Sequence, residues 1–495
     1  MVEALNTKNK NLTKGFLLYI LNMICLSPVI IYGGQNFSID SYGVALDYNT
    51  HLTAFIGSYR WFGAFVYKLY YNIFKHNPIS DSTIDCVVYI VFVAAIVLCL
   101  SYTIYSLINN KSALTYVVIN LSVLVSVLNV WYCDILSFPE CVFITAIGVI
   151  LCFAALIIFI KTPNIKGYIL SAILIILSTG VYQQFLFVYT IYIVAICSLN
   201  VVKNKETTFK QLFSRYIKPV VLIIVSGGLY FIIGKVVQNM LGIEPNSRVA
   251  LSISSIIDNC FYFAKNQHSY LKGRGFFDSE LITLCFLVSG FIWFVLTIVD
   301  WKKNKNTLKT IVLWLSYVVA YISAYAPGIL STSHAARAMF ALFAVFALFA
   351  IGTLVVTNSK SVKVVFCVVL SIVLVLNISV FIEREINQKK QNEVDKMWAE
   401  QIIENIEEYE KENQEITQIY YCYDSKTDIA TFAETAVYQR YSLEAIINYY
   451  SDRGFKAKEM SPEEKEKYFG NKEWNEINTE EQMIFEGDTL YLCCY

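Results

Sequence analysis

Charge is what this sequence is short of. Asp, Glu, Lys and Arg make up 16% of its 495 residues, where soluble domains carry roughly 25%. Together with apolar runs that recur from Phe16 to Phe381, that scarcity excludes an ordinary soluble fold and places the chain in a bilayer. The four histidines and thirteen cysteines form no group with zinc-ligand spacing. The sequence also lacks a Walker motif, a Gly-x-Gly-x-x-Gly loop, an internal repeat and any long low-complexity tract. Its connecting loops are too short to hold a nucleotide-binding domain, so a soluble nucleotide has no evident dock.

What charge there is falls unevenly. The formal net charge is +0, yet from Glu383 onward there are 26 acidic and 13 basic residues, a net of −13, which leaves +13 on the first 382. A basic membrane body (1–383) followed by an acidic soluble domain (384–495) is the expected organisation. Six cysteines stand singly in apolar runs (Cys25, Cys99, Cys152, Cys197, Cys285, Cys367) and read as small buried hydrophobes. Cys422 and the pair Cys493-Cys494 leave disulfide bonding and strand packing open, with packing the expected role. The N-terminal apolar run is about 18 residues long, contains Pro28 and is followed by no small-x-small cleavage site, so it reads as an uncleaved first span.

A bilayer crossing takes about 20 apolar residues. The expected spans are Phe16–Gly33, Val87–Ile108, Ala113–Val130, Cys141–Ile160, Tyr168–Gly180, Leu186–Val202, Pro219–Met240, Leu281–Val299, Ile311–Ala326, Ala338–Val356 and Val364–Phe381. The fifth and sixth are short and tightly joined. Leu52–Phe74 is apolar and aromatic but carries Arg60 and Lys68, with Lys75 just beyond. Such charges are costly at mid-bilayer and suit a helix lying in the interface. If Leu52–Phe74 does not cross, 17 basic and three acidic residues gather on the side of the N-terminus, while the short loops 131–140, 181–185 and 327–337 opposite hold one basic residue, Arg337. Lys and Arg concentrate in cytoplasmic loops, so the N-terminus is expected in the cytoplasm. The loop 34–86, with one or two interfacial helices, then lies outside, as do loop 241–280 and the acidic domain. That domain reads as helix Gln388–Glu415, strand Thr417–Tyr423, helix Ser442–Tyr450 and strand Thr489–Tyr495. The expected fold class is therefore an all-α polytopic membrane protein of about eleven transmembrane helices with a small C-terminal extracytoplasmic α/β domain.

The same topology brings the conspicuous polar groups to one side. They are Asp40 and Asp47, Asp134 and Glu140, Tyr182-Gln183-Gln184, His268 and Arg274, and Arg337. Polar groups near membrane depth line a cavity or pair with each other. The stretch Asn36–Gly43 follows the first span directly and sets Asp40 at the membrane–water boundary.

Four pieces of sequence resemble, in order and on a shared side, the bacterial O-antigen glucosyl transferase family of membrane proteins, within the GT-C type of glycosyltransferases. They are Ser38-Ile39-Asp40 after the first span, Tyr59-Arg60-Trp61 soon after, Val181-Tyr182-Gln183 at the outer end of a mid-chain span, and Ala335-Ala336-Arg337 opening a late one. The resemblance runs loosely over residues 15–382. It departs at Gly57-Ser58-Tyr59-Arg60, where the family pattern puts Gly directly before the Arg.

The resemblance implies transfer of a hexose, glucose foremost, from polyprenyl phosphate to a cell-surface glycan outside the bacterial plasma membrane, with no nucleic-acid partner. An acceptor hydroxyl must lose its proton as it attacks, and Asp40 is the candidate base. A departing lipid phosphate needs a cation with a bidentate fork, for which Arg337 is the first candidate and Arg60 the second. Tyr182 and Gln183 are candidate sugar contacts. Glu140 or Asp134 would orient the acceptor or, with Asp40, hold a divalent cation such as Mg. Glu140 also suits a helix N-terminus after Pro139. Asp47 is a further substrate contact or a helix cap, and His268 reads as structural. Inversion by direct displacement is the expected outcome. Competing readings are a transporter or flippase of lipid-linked saccharides, which often shows repeat symmetry, a polymerase, which depends on an Arg-rich outer loop where 241–280 has only Arg248 and Arg274, and a sensory protein acting through its acidic tail.

A reporter inserted within residues 34–86 is expected to react with a membrane-impermeant reagent on intact cells. Reaction only after the cells are opened would overturn this topology.

Overall fold

The computed structural model describes residues 2–109, 111–203, 208–246, 252–273, 279–331, 336–423, 437, 442–470, 472, 474 and 478–494. The chain is mostly helical. In order come α1 (Val2–Leu26), α2 (Ser41–Leu46), α3 (Tyr48–Gly57), α4 (Trp61–Phe74), α5 (Ser82–Leu107), α6 (Ala113–Val125), α7 (Val130–Leu136), α8 (Pro139–Lys161), α9 (Ile165–Val181), α10 (Gln184–Lys203) and α11 (Phe209–Leu241). They are followed by α12 (Ile253–Lys272), α13 (Glu280–Asn304), α14 (Thr307–Ser323), a 3-10 segment Ala336–Phe343 running into α15 (Ala344–Val356), and α16 (Lys360–Glu410). The C-terminal domain adds β1 (Gln418–Tyr423), α17 (Leu443–Ser451), β2 (Lys456–Glu459), α18 (Pro462–Tyr468), β3 (Met483–Glu486) and β4 (Thr489–Cys494).

Among the described residues, eight helical segments are long and apolar enough to cross a membrane, or nine if the bent pair α6–α7 counts as one span. Two of the eleven expected spans fall instead in α9 and α14, apolar helices of 17 residues each. At about 1.5 Å per residue they are some 25 Å long, a little less than the roughly 30 Å hydrocarbon layer. The outward faces of α11, α13 and α14 are apolar, with Ile224, Ile232, Leu287, Phe291, Leu315 and Val319 exposed. Surface of that kind is made to meet lipid rather than water.

The stretch Leu52–Phe74 folds as α3 and α4, of 10 and 14 residues, each too short for a crossing. Gly63, Ala64 and Tyr67 bury one face of α4, while Phe65, Leu69 and Ile73 form an exposed stripe at helical spacing. One face meets the protein and the other suits the bilayer surface.

The helix pair α6–α7 bends by 53° at Ser126–Asn129. A break at this depth frees backbone groups that must find partners. Asn129 accepts from Tyr132 N (3.1 Å) and donates to the carbonyls of Val125 and Ser126. Asn377, in the middle of α16, accepts from Val130 N at 2.9 Å. The two amides mend the break, and the bend carries Asp134 on α7 toward α16.

The expected last span and the expected charged helix from Gln388 are one continuous helix of 51 residues. No Gly or Pro lies between Lys360 and Glu410, so nothing stops the helix where it leaves the apolar layer. At about 75 Å it outreaches the hydrocarbon layer by more than 40 Å. Its far half carries Trp398, Ala399, Ile402 and Ile406, all buried in the core of the C-terminal domain.

That domain holds a four-stranded sheet of order β2-β1-β4-β3. β1 runs parallel to both neighbours, and β3 is antiparallel to β4. Ile419, Tyr421, Leu490 and Leu492 pack with α16 and with Leu443, Ile446 and Ile447 of α17. The crossover from β1 to β2 through α17 is what parallel pairing requires. The sequence pattern missed β2 and β3, each of four residues, too short for a period to register. Cys422 and Cys493 lie opposite each other on β1 and β4, both buried, in the packing role expected of them.

Gly352 on α15 faces Tyr317 and Trp293, and an added Cβ would collide with the Tyr317 hydroxyl. Gly352→Ala is expected to destabilise the bundle by about 1–3 kcal/mol, read as a lowered thermal transition of the detergent-solubilised protein.

Candidate functional site

The site is built around a loop that cannot move freely. Asn36 donates at 2.7 Å to both the backbone carbonyl and Oε2 of Glu385 on α16. The next residue, Phe37, exchanges two hydrogen bonds with the side-chain amide of Asn392, also on α16. On the other side, the Ser38 hydroxyl donates to Glu140 Oε1 (3.0 Å) and the Ser41 hydroxyl to Oε2 (2.9 Å). Glu140 is 1% exposed, in the first turn of α8 after Pro139. Asp40 N donates to Ser38 Oγ, and Ser38 N to Ser41 Oγ. The amide of Asn36, the backbone of Phe37 and the hydroxyls of Ser38 and Ser41 thus hold one short turn, on which Asp40 stands half-buried.

Asp40 faces a cavity of about 650 Å³, within the usual size range of small-ligand sites. Its lining includes Arg60, Glu140, Tyr182 and Arg337, together with His51, Asn246, Ser442 and Ala445. Five of the sequence-derived site residues therefore share one space.

Arg60 is placed by an unusual turn. At the end of α3, Arg60 N donates to Phe55 O (2.8 Å) and Tyr59 N to Ile56 O (3.0 Å), the double closure of a Schellman motif. The residue between them and the helix, Tyr59, has φ 61°, the left-handed region that Gly ordinarily fills. This is the position at which the expected Gly is missing. Tyr59 instead stacks on Phe231 of α11, at 5.1 Å and 12°, and that packing offsets a backbone cost of about 1 kcal/mol. Gln183, in the link between α9 and α10, donates to Ser58 O (2.6 Å) and Gln238 of α11 to Ile56 O (2.8 Å), fixing the turn from two sides. The Arg60 guanidinium then lies 4.3 Å from the Tyr182 ring centre, a cation–π contact, and its Nε has no hydrogen-bond partner although buried.

Arg337 is placed by charge. Asp134 is buried and lies 2.5 Å from Arg384 on α16 and 3.9 Å from Arg337. The Arg337 guanidinium also stands 5.1 Å from the Phe138 ring centre. Asp134 is thus the counter-charge that collects two arginines, rather than a group offered to a ligand.

Two further sequence-derived roles change, and of the two readings of Asp47 the structure shows the cap. Gln183 does not line the cavity; it holds the turn that presents Arg60. Glu140 lines it, but both carboxylate oxygens are engaged by the serine hydroxyls, so it positions the Asp40 loop. Asp47 caps α3, accepting from Asn49 N at 3.0 Å, and lines a neighbouring open recess with Glu244 and Asn246. His268 pairs with Glu280 at 2.7 Å on the surface, a structural tie between α12 and α13. Arg248 and Arg274 lie outside the described residues. Among the described residues no three His, Cys, Asp or Glu side chains are grouped to hold a metal ion.

The sequence reading missed His51, Arg384, Ser442 and Ala445. His51 is buried, and its Nε2 has no hydrogen-bond partner. Burial, with the Arg60 guanidinium nearby, pushes its pKa from 6.5 down to about 3, so the imidazole is neutral at ordinary pH. A buried orphan nitrogen on a cavity wall awaits a partner from the ligand.

Comparison with known proteins gives a family but no close relative. The family model described as Glucosyl transferase GtrII matches residues 34–357. No curated protein and no solved structure matches the chain.

Removing the Glu140 carboxylate strands two buried hydroxyls, a loss of about 1–3 kcal/mol locally. Glu140→Ala is expected to speed amide hydrogen exchange across residues 36–46 by roughly tenfold to a hundredfold, measured by mass spectrometry. Exchange at the unmodified rate would show that the serine contacts do not hold the loop.

Proposed function

The chain belongs to the glucosyl transferase GtrII family, and from that membership we propose that its cavity moves a glucosyl group from a polyprenyl-phosphate-linked donor to a surface-glycan acceptor outside a bacterial plasma membrane. Family and helices together make the protein a multi-pass membrane glycosyltransferase; the donor, the acceptor and the side belong to the proposal. The observation that carries it is one cavity lined by the Asp40 carboxylate and two guanidinium groups, Arg60 and Arg337.

That set matches the demands of the reaction. The acceptor oxygen attacks the anomeric carbon as Asp40 takes its proton. The bond from that carbon to the phosphate oxygen breaks, and the lipid phosphate leaves with the electron pair. Arg60 and Arg337 stabilise the charge that grows on it. A single displacement from the opposite face inverts the anomeric centre. His51, neutral and unpartnered, donates to or accepts from a sugar hydroxyl. Tyr182 contributes its ring beneath Arg60.

The topology in this reading has eleven crossings: the eight long segments, the bent pair, and the short α9 and α14. Alternating from a cytoplasmic N-terminus, these turn the loop at Asp40, the start of α8, the end of α9 and the segment at Arg337 to one side. A shared cavity requires that arrangement. The C-terminal domain follows the last crossing to the same side.

Asp40→Asn is expected to reduce glucosyl transfer from polyprenyl-phosphate glucose by about 10²–10⁴-fold with protein abundance intact. Arg337→Lys is expected to lower kcat/KM for the same donor by about tenfold or more, since a point charge replaces a fork. Transfer at the unmodified rate in the asparagine variant removes Asp40 from the mechanism.

A further inference from the structure

We propose that the C-terminal domain forms the acceptor-side wall of the cavity, with Ser442 and Ala445 selecting the acceptor; this rests on reading the cavity as the transfer site. Asp40 sits at the seam between the membrane body and that domain. Two residues on, Tyr42 is fully buried, and its ring lies 5.5 Å from Tyr449 and 5.9 Å from Tyr450, both on α17. A Cβ added at Gly43 would stand 3.9 Å from the Ala445 side chain. The domain is docked onto the turn that carries Asp40, not merely tethered near it. An acceptor hydroxyl must come within hydrogen-bond reach of that carboxylate, so it arrives at this seam.

Among the described residues the two walls differ in charge. The membrane body contributes Arg60 and Arg337, and a lipid phosphate goes to that cationic side. Among the described residues, the domain contributes Ser442 and Ala445, a hydroxyl and a methyl with no charge. Such a lining repels no neutral ligand and offers hydrogen bonding and room, which suits a hexose unit of a glycan. Gly43 and Ala445 are both small where they meet, so the width of the opening depends on two side chains that barely exist. Ser442 and Ala445 also lie beyond the family match, which ends at residue 357. Donor chemistry and acceptor choice therefore sit on separate stretches of the chain.

The test is steady-state transfer by the full chain in proteoliposomes. The donor is polyprenyl-phosphate glucose, and the acceptor is the lipid-linked glycan fraction extracted from cells lacking the protein. Ala445→Leu is expected to raise the KM for this acceptor fraction about tenfold, the scale of a misfit by a small apolar group, while the donor KM moves by less than about twofold. Ser442→Ala, which adds no bulk and guards against a folding failure at 445, is expected to raise the acceptor KM about fivefold through one lost hydrogen bond. Equal changes in both KM values, or none in either variant, overturn the proposal. Asp40→Asn separates the two levels. If that variant still transfers, the cavity reading itself fails, and this inference with it. If it is inactive while both wall variants keep the original acceptor KM, only the acceptor wall is wrong.

Discussion

A carboxylate buried at the head of a membrane helix must find hydrogen-bond donors, and this constraint organises the site. Glu140 finds them in Ser38 and Ser41, which flank Asp40. The energy that satisfies the one acid thereby fixes the position of the other. Asn36 and Phe37 complete the arrangement from the far side, through Glu385 and Asn392. Asp40 is held between two helices that are distant in sequence, so its geometry is set by the whole bundle and not by its own loop. For the base role proposed for Asp40, such preorganisation would remove the reorganisation that a mobile group needs at the moment of proton transfer.

The arginines are supported by two different physical means. Arg60 relies on shape: a left-handed turn at Tyr59, two glutamine amides and the face of Tyr182. Arg337 relies on charge, through Asp134 and its closer partner Arg384. Asp134 carries one negative charge against the two guanidinium groups it collects. In the proposed reaction Arg337 would meet the single negative charge of the donor's phosphodiester and the second charge that develops as the lipid phosphate leaves.

Much of this was legible in the sequence, and the limits follow from physics. Apolar runs announce spans because a bilayer demands about 20 apolar residues whatever their order, and the uneven charge separated body from tail. Asp40, Glu140, Tyr182 and Arg337 stood out as polar residues at span ends and Arg60 as a charge in an interfacial stretch, and all five line one cavity. Their division of labour was not found. Whether a carboxylate binds a ligand or two serines depends on contacts across 100 residues, as Glu140 shows, and no local pattern encodes them. The break expected between the last span and the charged helix from Gln388 is absent for a similar reason. Hydropathy changes there, but backbone geometry does not, and a helix without Gly or Pro ignores the difference. Ser442 and Ala445 carry no signal at all, being an ordinary hydroxyl and an ordinary methyl until tertiary packing sets them beside Asp40.

The unbroken α16 has a mechanical consequence. Helices answer a thicker or thinner bilayer by changing their tilt, and a rod with no hinge transmits that tilt along its whole length. With roughly 40 Å projecting beyond the hydrocarbon, a rotation of about five degrees sweeps the far end through some 3–4 Å. A change in bilayer thickness that altered the tilt of α16 would therefore load the packing of the sheet's domain against the Tyr42 turn.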